Sequence, residues 1–178
     1  SLTDVLSIGT TTDIATSTGL AVYNRDIEIL PGDPVKVGGA QAADTANDIT
    51  VAGNYAYVVS GYNPSADSLE IFDISDPTNP TKVGGADADA TDPFYAISVV
   101  GNYAYMGSAS NGDDLEIFDI SDPTNPIGVG GANAASTVYA ISVAGNYAYL
   151  GITSNAGDEF EIFDISDPTN PTKVGGVE

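Results

Sequence analysis

Between Asn47 and Gly176 short apolar runs alternate with polar clusters, and no segment sustains the 3.6-residue apolar period of a capped amphipathic helix. The pattern predicts strands and essentially no helix. Ile97-Ser98-Val99-Val100 is short and β-branched, as a buried strand is. Gly101-Asn102 then supplies the positive φ of a tight hairpin turn. Tyr103-Ala104-Tyr105-Met106 resumes an extended chain in which large Tyr alternates with small Ala, so one face is thick and the other lets a neighbouring sheet approach. After a polar loop with Asn111-Gly112 at its tip, Leu115 to Ile120 is apolar on both faces apart from Glu116, which suits a strand sandwiched between sheets. Asp122-Pro123 and Asn125-Pro126 stop that strand, because proline lacks the amide hydrogen and fixes φ. Val129-Gly130-Gly131 closes the unit.

This unit recurs. LEIFDISDPTNPTKVGG from Leu69 returns as LEIFDISDPTNPIGVGG from Leu115 and FEIFDISDPTNPTKVGG from Phe160, at spacings of 46 and 45 residues. Upstream of each copy stand GNYAYVVSG from Gly53, GNYAYMGSA from Gly101 and GNYAYLGIT from Gly145. Still earlier come NDITVA from Asn47, YAISVV from Tyr95 and YAISVA from Tyr139. Four strands in about 45 residues is the arithmetic of a propeller blade.

The expected fold class is therefore all-β: a propeller-type repeat of four-stranded antiparallel blades, with three full units and one incomplete N-terminal unit. The units span approximately 1–39, 47–85, 95–131 and 139–176. Residues 1–19 form a Thr/Ser-rich arm or edge strand, and 20–178 the repeat domain. In the first unit Leu20 to Asn24 lines up with LEIFD, Pro34 to Gly39 with the Val-Gly-Gly strand and Asp4 to Gly9 with the second strand. No sequence stands for its innermost strand. Either the chain is an excerpt of a longer propeller, or it leaves sheet edges unpaired. Unpaired edges template association, and a strand from a neighbouring copy would complete the unit; repeated head to tail, that contact builds a filament.

The blocks quoted above resemble the LVIVD-repeat family of β-propellers, through the apolar strand followed by DxSDPxxP and a Val-Gly-Gly strand. The likeness covers about Ile49 to the C-terminus strongly and the first third weakly. It implies a propeller on bacterial or archaeal surface or secreted proteins. It implies no shared enzymatic activity and no catalytic motif.

Composition narrows function more than fold. The 178 residues carry 25 Asp and Glu against 4 Lys and Arg, a net charge of −21, with 42% apolar residues, enough for a core. Four basic side chains neither neutralise a run of phosphates nor hold an anionic membrane surface, so nucleic acid and membrane binding are not expected. No apolar stretch is long enough to span a bilayer. Without His or Cys, Ser-His-Asp triads, Cys nucleophiles and most zinc sites are absent. Scarce Lys, abundant Asp, Thr and Ser, and a start at Ser1 without Met or leader point to an extracellular or cell-surface protein, with a signal peptide removed, or to an excerpt.

Candidate chemistry is confined to carboxylates and tyrosines. Asp73, Asp76, Asp119, Asp122, Asp164 and Asp167 form the repeated DxSD turn. Clustered oxygens there suit Ca²⁺, but capping of local amides accounts for the motif better. Glu70, Glu116 and Glu161 recur at one strand position and are expected at a solvated edge or channel, since three identical environments argue against an acid/base pair. Asp87, Asp89, Asp92, Asp113, Asp114 and Asp158 lie in variable loops and are weak Ca²⁺ candidates, with a solvated acidic surface as the alternative. No other cofactor is expected. The Tyr pairs at 55/57, 103/105 and 147/149 suit packing between blades better than a sugar platform, and the Gly pairs lack a phosphate-loop pattern. The expected function is a non-enzymatic extracellular structural module that self-associates, a homo-oligomer or filament subunit with strand completion in trans. The alternative is a surface or secreted scaffold for a protein or glycan, cut from a longer propeller.

Overall fold

A computed structural model describes residues 35–61, 67–87, 93–109, 113–153 and 159–177. The chain divides into two units, 1–35 and 36–178, and the described structure belongs to the second apart from Val35. The sequence-predicted N-terminal arm and all of the first repeat except 35–39 lie outside the described residues.

Twelve strands and no helix are found among the described residues. They are β1 Ala46–Ala52, β2 Tyr55–Ser60, β3 Leu69–Asp73, β4 Thr81–Ala86, β5 Phe94–Val100, β6 Tyr103–Ser108, β7 Leu115–Asp119, β8 Ile127–Ala132, β9 Val138–Ala144, β10 Tyr147–Ile152, β11 Phe160–Asp164 and β12 Thr172–Val177. They form three four-stranded antiparallel sheets in sequence order, β1–β4, β5–β8 and β9–β12. Each predicted full unit is thus one sheet, and among the described residues the sheets do not close on one another.

The predicted turns do what their residues require. Gly53, Gly101 and Gly145 take φ of +59°, +61° and +60°, so each first hairpin turns tightly. The following Asn carbonyl accepts the amide that ends the third strand: Ile74 to Asn54 at 2.8 Å, Ile120 to Asn102 at 2.7 Å and Ile165 to Asn146 at 2.8 Å. Each outer strand bulges at the Val of its Val-Gly-Gly, which the register passes over at Val83, Val129 and Val174. Each innermost strand also bulges, at Asn47, Tyr95 and Tyr139.

Successive sheets pack face to face. We call the face toward the preceding sheet the front and the face toward the following one the back. Period-2 alternation sends Tyr57, Val59, Leu69 and Ile71 to the back of the first sheet, against Ala104, Met106, Phe118 and Ile120 of the second. The same positions repeat one sheet on: Tyr105, Leu115 and Ile117 meet Ala148, Leu150, Phe163 and Ile165. Burial desolvates the Tyr57 and Tyr105 hydroxyls and raises their pKa, with a smaller push from Tyr55 and Tyr103.

Glycine fixes how near the sheets come. A Cβ at Gly84 would lie 2.1 Å from the Pro123 carbonyl oxygen of the next sheet, and at Gly130 2.2 Å from that of Pro168. Gly38 stands in the same relation to Pro77, at 2.1 Å, so Val37–Gly39 lies on the first sheet's Asp-Pro turn as an outer strand lies on the turn of the sheet after it. We expect Gly84→Ala and Gly130→Ala each to cost at least about 2 kcal/mol, since backbone must move to admit the methyl group. Gly175→Ala, whose nearest neighbours are only Ile162 of its own sheet, should change stability far less. Urea unfolding of the three variants checks the contrast.

Candidate functional site

Two features stand out from the repeat: a carboxylate clasp on the segments that lead into the sheets, and the back of the last sheet.

The clasp uses the recurrent glutamates. Glu70 is 1% and Glu161 0% exposed, so the expected solvated edge is wrong for both. Their strand position points to the front of the sheet, where the incoming segment and the sheet's own lysine surround them. Glu70 accepts the Ala43 amide at 2.9 Å and the Lys82 ammonium at 2.6 Å. Glu161 accepts the Ala135 amide at 3.2 Å and the Lys173 ammonium at 2.7 Å. Lys82 also reaches Asp67 at 2.9 Å. Burial alone would lower the pKa of Lys82, but the hydrogen bonds it donates to Glu70 and Asp67, with their negative charges, outweigh it and the net shift is upward. The signal was present in the sequence, since Lys follows Glu by the same interval in the first and third full units, whereas the second has Gly128 there and its Glu116 is only half-buried.

Asp114 extends the clasp. It is 6% exposed and accepts the Ala134 amide at 3.0 Å, next to the amide that Glu161 holds. Burial pushes its carboxyl up to about 6, with the Ala134 hydrogen bond opposing and the charges of Glu161 and Asp113 adding to the rise.

Asp73, Asp119 and Asp164 each accept the amide two residues on, at 2.8, 2.8 and 2.9 Å. Asp76, Asp122 and Asp167 each accept both the amide and the hydroxyl of the following Thr, the hydroxyl at 2.6, 2.7 and 2.7 Å. These bonds stabilise the carboxylate form and lower all six pKa values. Asp87 accepts a 3.4 Å bond from the Ser68 hydroxyl, and the Asp113 carboxylate lies over Gly131. Asp89, Asp92 and Asp158 lie outside the described residues. Among the described residues no three acidic side chains are grouped to hold a metal ion.

The inner strands lie where the sequence predicts them, but the contacts between them were not foreseen. Asn47 donates to the Phe94 carbonyl at 2.7 Å, and Asp48 accepts the Ile97 amide at 2.9 Å, tying β1 to β5. One step on, the equivalent bulge residues Tyr95 and Tyr139 stack, with ring centroids 4.8 Å apart. The change from Asn-Asp to Tyr-Ala between otherwise matching units was the available clue.

The back of the third sheet carries the residues that its predecessors bury. Leu69 and Leu115 are both 0% exposed, whereas Phe160 at the same position is 38% exposed. Val83 and Val129 pack against the two cores, whereas Val174 is 57% exposed. Tyr149 stacks on Phe160 at 6.1 Å within the sheet.

Two outcomes are expected. Lys173→Met leaves Glu161 buried with one partner fewer and should cost about 1–3 kcal/mol, less than for a wholly buried pair because the lysine is partly solvated; the loss should reverse largely in Lys173→Met/Glu161→Gln, read by urea unfolding. For pH, Asp114 binds its proton more tightly folded than unfolded, so its contribution to stability grows as pH falls through about 6. The six turn aspartates work the other way and withdraw stability once pH falls through their lowered values. Melting temperature should therefore peak between about pH 4 and 6, and Asp114→Asn should flatten the decline between about pH 5 and 7.

The LVIVD repeat model matches residues 43–87, 95–133 and 137–178, one match per sheet. No curated protein matches. Among solved structures the chain is similar to the computationally designed Ika4 protein, with 13% identity, a TM-score of 0.57, and 84% of this chain and 81% of that one covered. It is also similar to the computationally designed Ika8 protein, with 12% identity and a TM-score of 0.54 over 75% of this chain. That match spans only 36% of the Ika8 chain. At such identities the likeness is one of fold. With three matched segments that together cover most of its length, the chain belongs to the LVIVD-repeat family.

Proposed function

We propose that the chain is a non-enzymatic, extracellular structural module that self-associates, a subunit of a filament or surface assembly in which repeat units complete one another in trans. One observation carries this reading: the chain builds the same sheet-on-sheet interface twice from nearly identical residues, so the surface that makes it is self-complementary by construction. The chemistry of the carboxylates supports a structural role. Glu70 and Glu161, the most buried acids among the described residues, are engaged by a lysine and a backbone amide each, and the turn aspartates by their own turns. An acidic, Lys-poor surface suits the hydration of a protein outside the cell.

A second reading, a scaffold that presents a binding surface to a glycan or protein, is favoured by Tyr139, which is 53% exposed and stacked on Tyr95 where the inner strands of the second and third sheets meet.

Sedimentation velocity over a wide concentration range, at low and high NaCl, discriminates. Self-association predicts a sedimentation coefficient that rises with concentration, and more strongly at high salt because the like charges of the copies are then screened. A monomer at every concentration and salt, with retention on a glycan or protein column that Tyr139→Ala abolishes, would establish the scaffold instead.

A further inference from the structure

We propose that Asp114 and Glu161 form a pH-operated latch on the segment that joins the second sheet to the third, closed in acid and loosened as the medium turns neutral. The latch governs how firmly one repeat is joined to the next, and it is independent of self-association.

Residues 133–137 run from β8 to β9, and a carboxylate from each flanking sheet holds them. Asp114, just before β7, reaches from the second sheet to the Ala134 amide at 3.0 Å. Glu161, on β11, reaches from the third sheet to the Ala135 amide at 3.2 Å. Both carboxyls are deeply buried, at 6% and 0% exposure. The far end of the segment is pinned by neutral groups instead. The Ser136 and Thr153 hydroxyls share a 2.7 Å hydrogen bond, and the Thr153 amide donates to the Thr137 carbonyl at 3.1 Å. The grip on Ala134 and Ala135 is therefore the part that charge controls.

The charges do not balance there. On β12 Lys173 lies 2.7 Å from Glu161 and offsets that carboxylate. Asp114 meets the charge of Glu161 from the third sheet and that of Asp113 from its own loop. Ionised, it is a second buried negative charge against one lysine, and such a charge either takes up a proton or moves out to water. Protonated, it still accepts the Ala134 amide through its carbonyl oxygen, and the closed arrangement holds. Burial, with the two neighbouring charges adding and the Ala134 bond opposing, pushes the carboxyl up to about 6, which sets where the change falls. The first sheet supplies an internal control. At the 46-residue spacing the counterpart of Asp114 is Ser68, a neutral residue, and there Glu70 with Lys82 clasps the Ala43 amide.

Native-state hydrogen exchange of the full chain, read by NMR between about pH 5 and 7.5 at fixed ionic strength, tests the latch, each rate being divided by that of an unstructured peptide at the same pH. Protection of the Ala134 and Ala135 amides should fall at least about tenfold over that range, centred near pH 6. The Ala43 amide should change by less than about twofold. Asp114→Asn keeps an acceptor for the Ala134 amide but cannot ionise, so it should hold both amides at the protection the parent shows at about pH 5. Glu161→Gln removes the facing charge and should move the midpoint down by at least about half a pH unit. Flat protection in the parent would overturn the latch, as would a fall that Asp114→Asn retains or an equal fall at Ala43. A midpoint that Glu161→Gln leaves in place would overturn the part assigned to Glu161.

Discussion

The fold depends on how closely one sheet approaches the next. A four-stranded sheet of this kind has two apolar faces and no interior of its own, so its side chains leave water only by packing against neighbours. Here the separation is set by bare backbone. Gly84 and Gly130 let the outer edge of one sheet settle on the proline carbonyls of the next, at distances that no side chain tolerates. The bulges at Val83 and Val129 twist the outer strands so that these glycines face the turns while the valines join the core. Tyr57 and Tyr105 then span the gap from the second strand, with Met106 and Leu150 facing them from the next sheet. Gap and side-chain size match because both come from one repeated unit.

Given that approach, the segment that leads into a sheet needs its own anchor. Its amides are drawn toward the interior, where an unpaired N–H is costly. Glu70 and Glu161 take up Ala43 and Ala135, and a lysine on the outer strand of the same sheet offsets the buried charge. The second sheet shows the dependence from the other side: with Gly128 in place of the lysine, Glu116 is less deeply buried. Asp114 contributes a second grip on the neighbouring amide, and its raised pKa is the cost of holding a carboxylate there without a lysine.

Most of the sheet architecture was legible because each local device has one physical reading. Gly-Asn asks for a left-handed turn, Asp-Pro ends a strand, and strict repetition assigns every unit by the clearest one. The placement of side chains between sheets was harder. The glutamates read as solvated because their lysine partners are twelve residues away, across a strand pairing with a bulge that sequence spacing does not reveal. The bulges at Asn47, Tyr95 and Tyr139 were invisible for a similar reason: only the register shows that one residue is passed over. The different exposure of Leu69 and Phe160 could not be read from sequence, since the two differ little in type and Leu69 is buried by the sheet that follows it.

The net charge of −21 looks at first like an obstacle to any contact between copies. Its placement removes much of the difficulty. Six of the aspartates sit in the Asp-Pro turns, where each carboxylate is engaged by the amide two residues on. Others line the loops between strands. The two most deeply buried glutamates among the described residues, Glu70 and Glu161, are by contrast each paired with a lysine of their own sheet. Repulsion between copies then acts over roughly the 10 Å Debye length of dilute salt, and weakens as salt shortens it. Attraction between apolar faces acts only at contact and is indifferent to that screening. Charge so arranged opposes chance pairing of exposed strand edges at low salt, while the packing of one sheet on the next, made at contact by apolar side chains and bare glycines, is left intact.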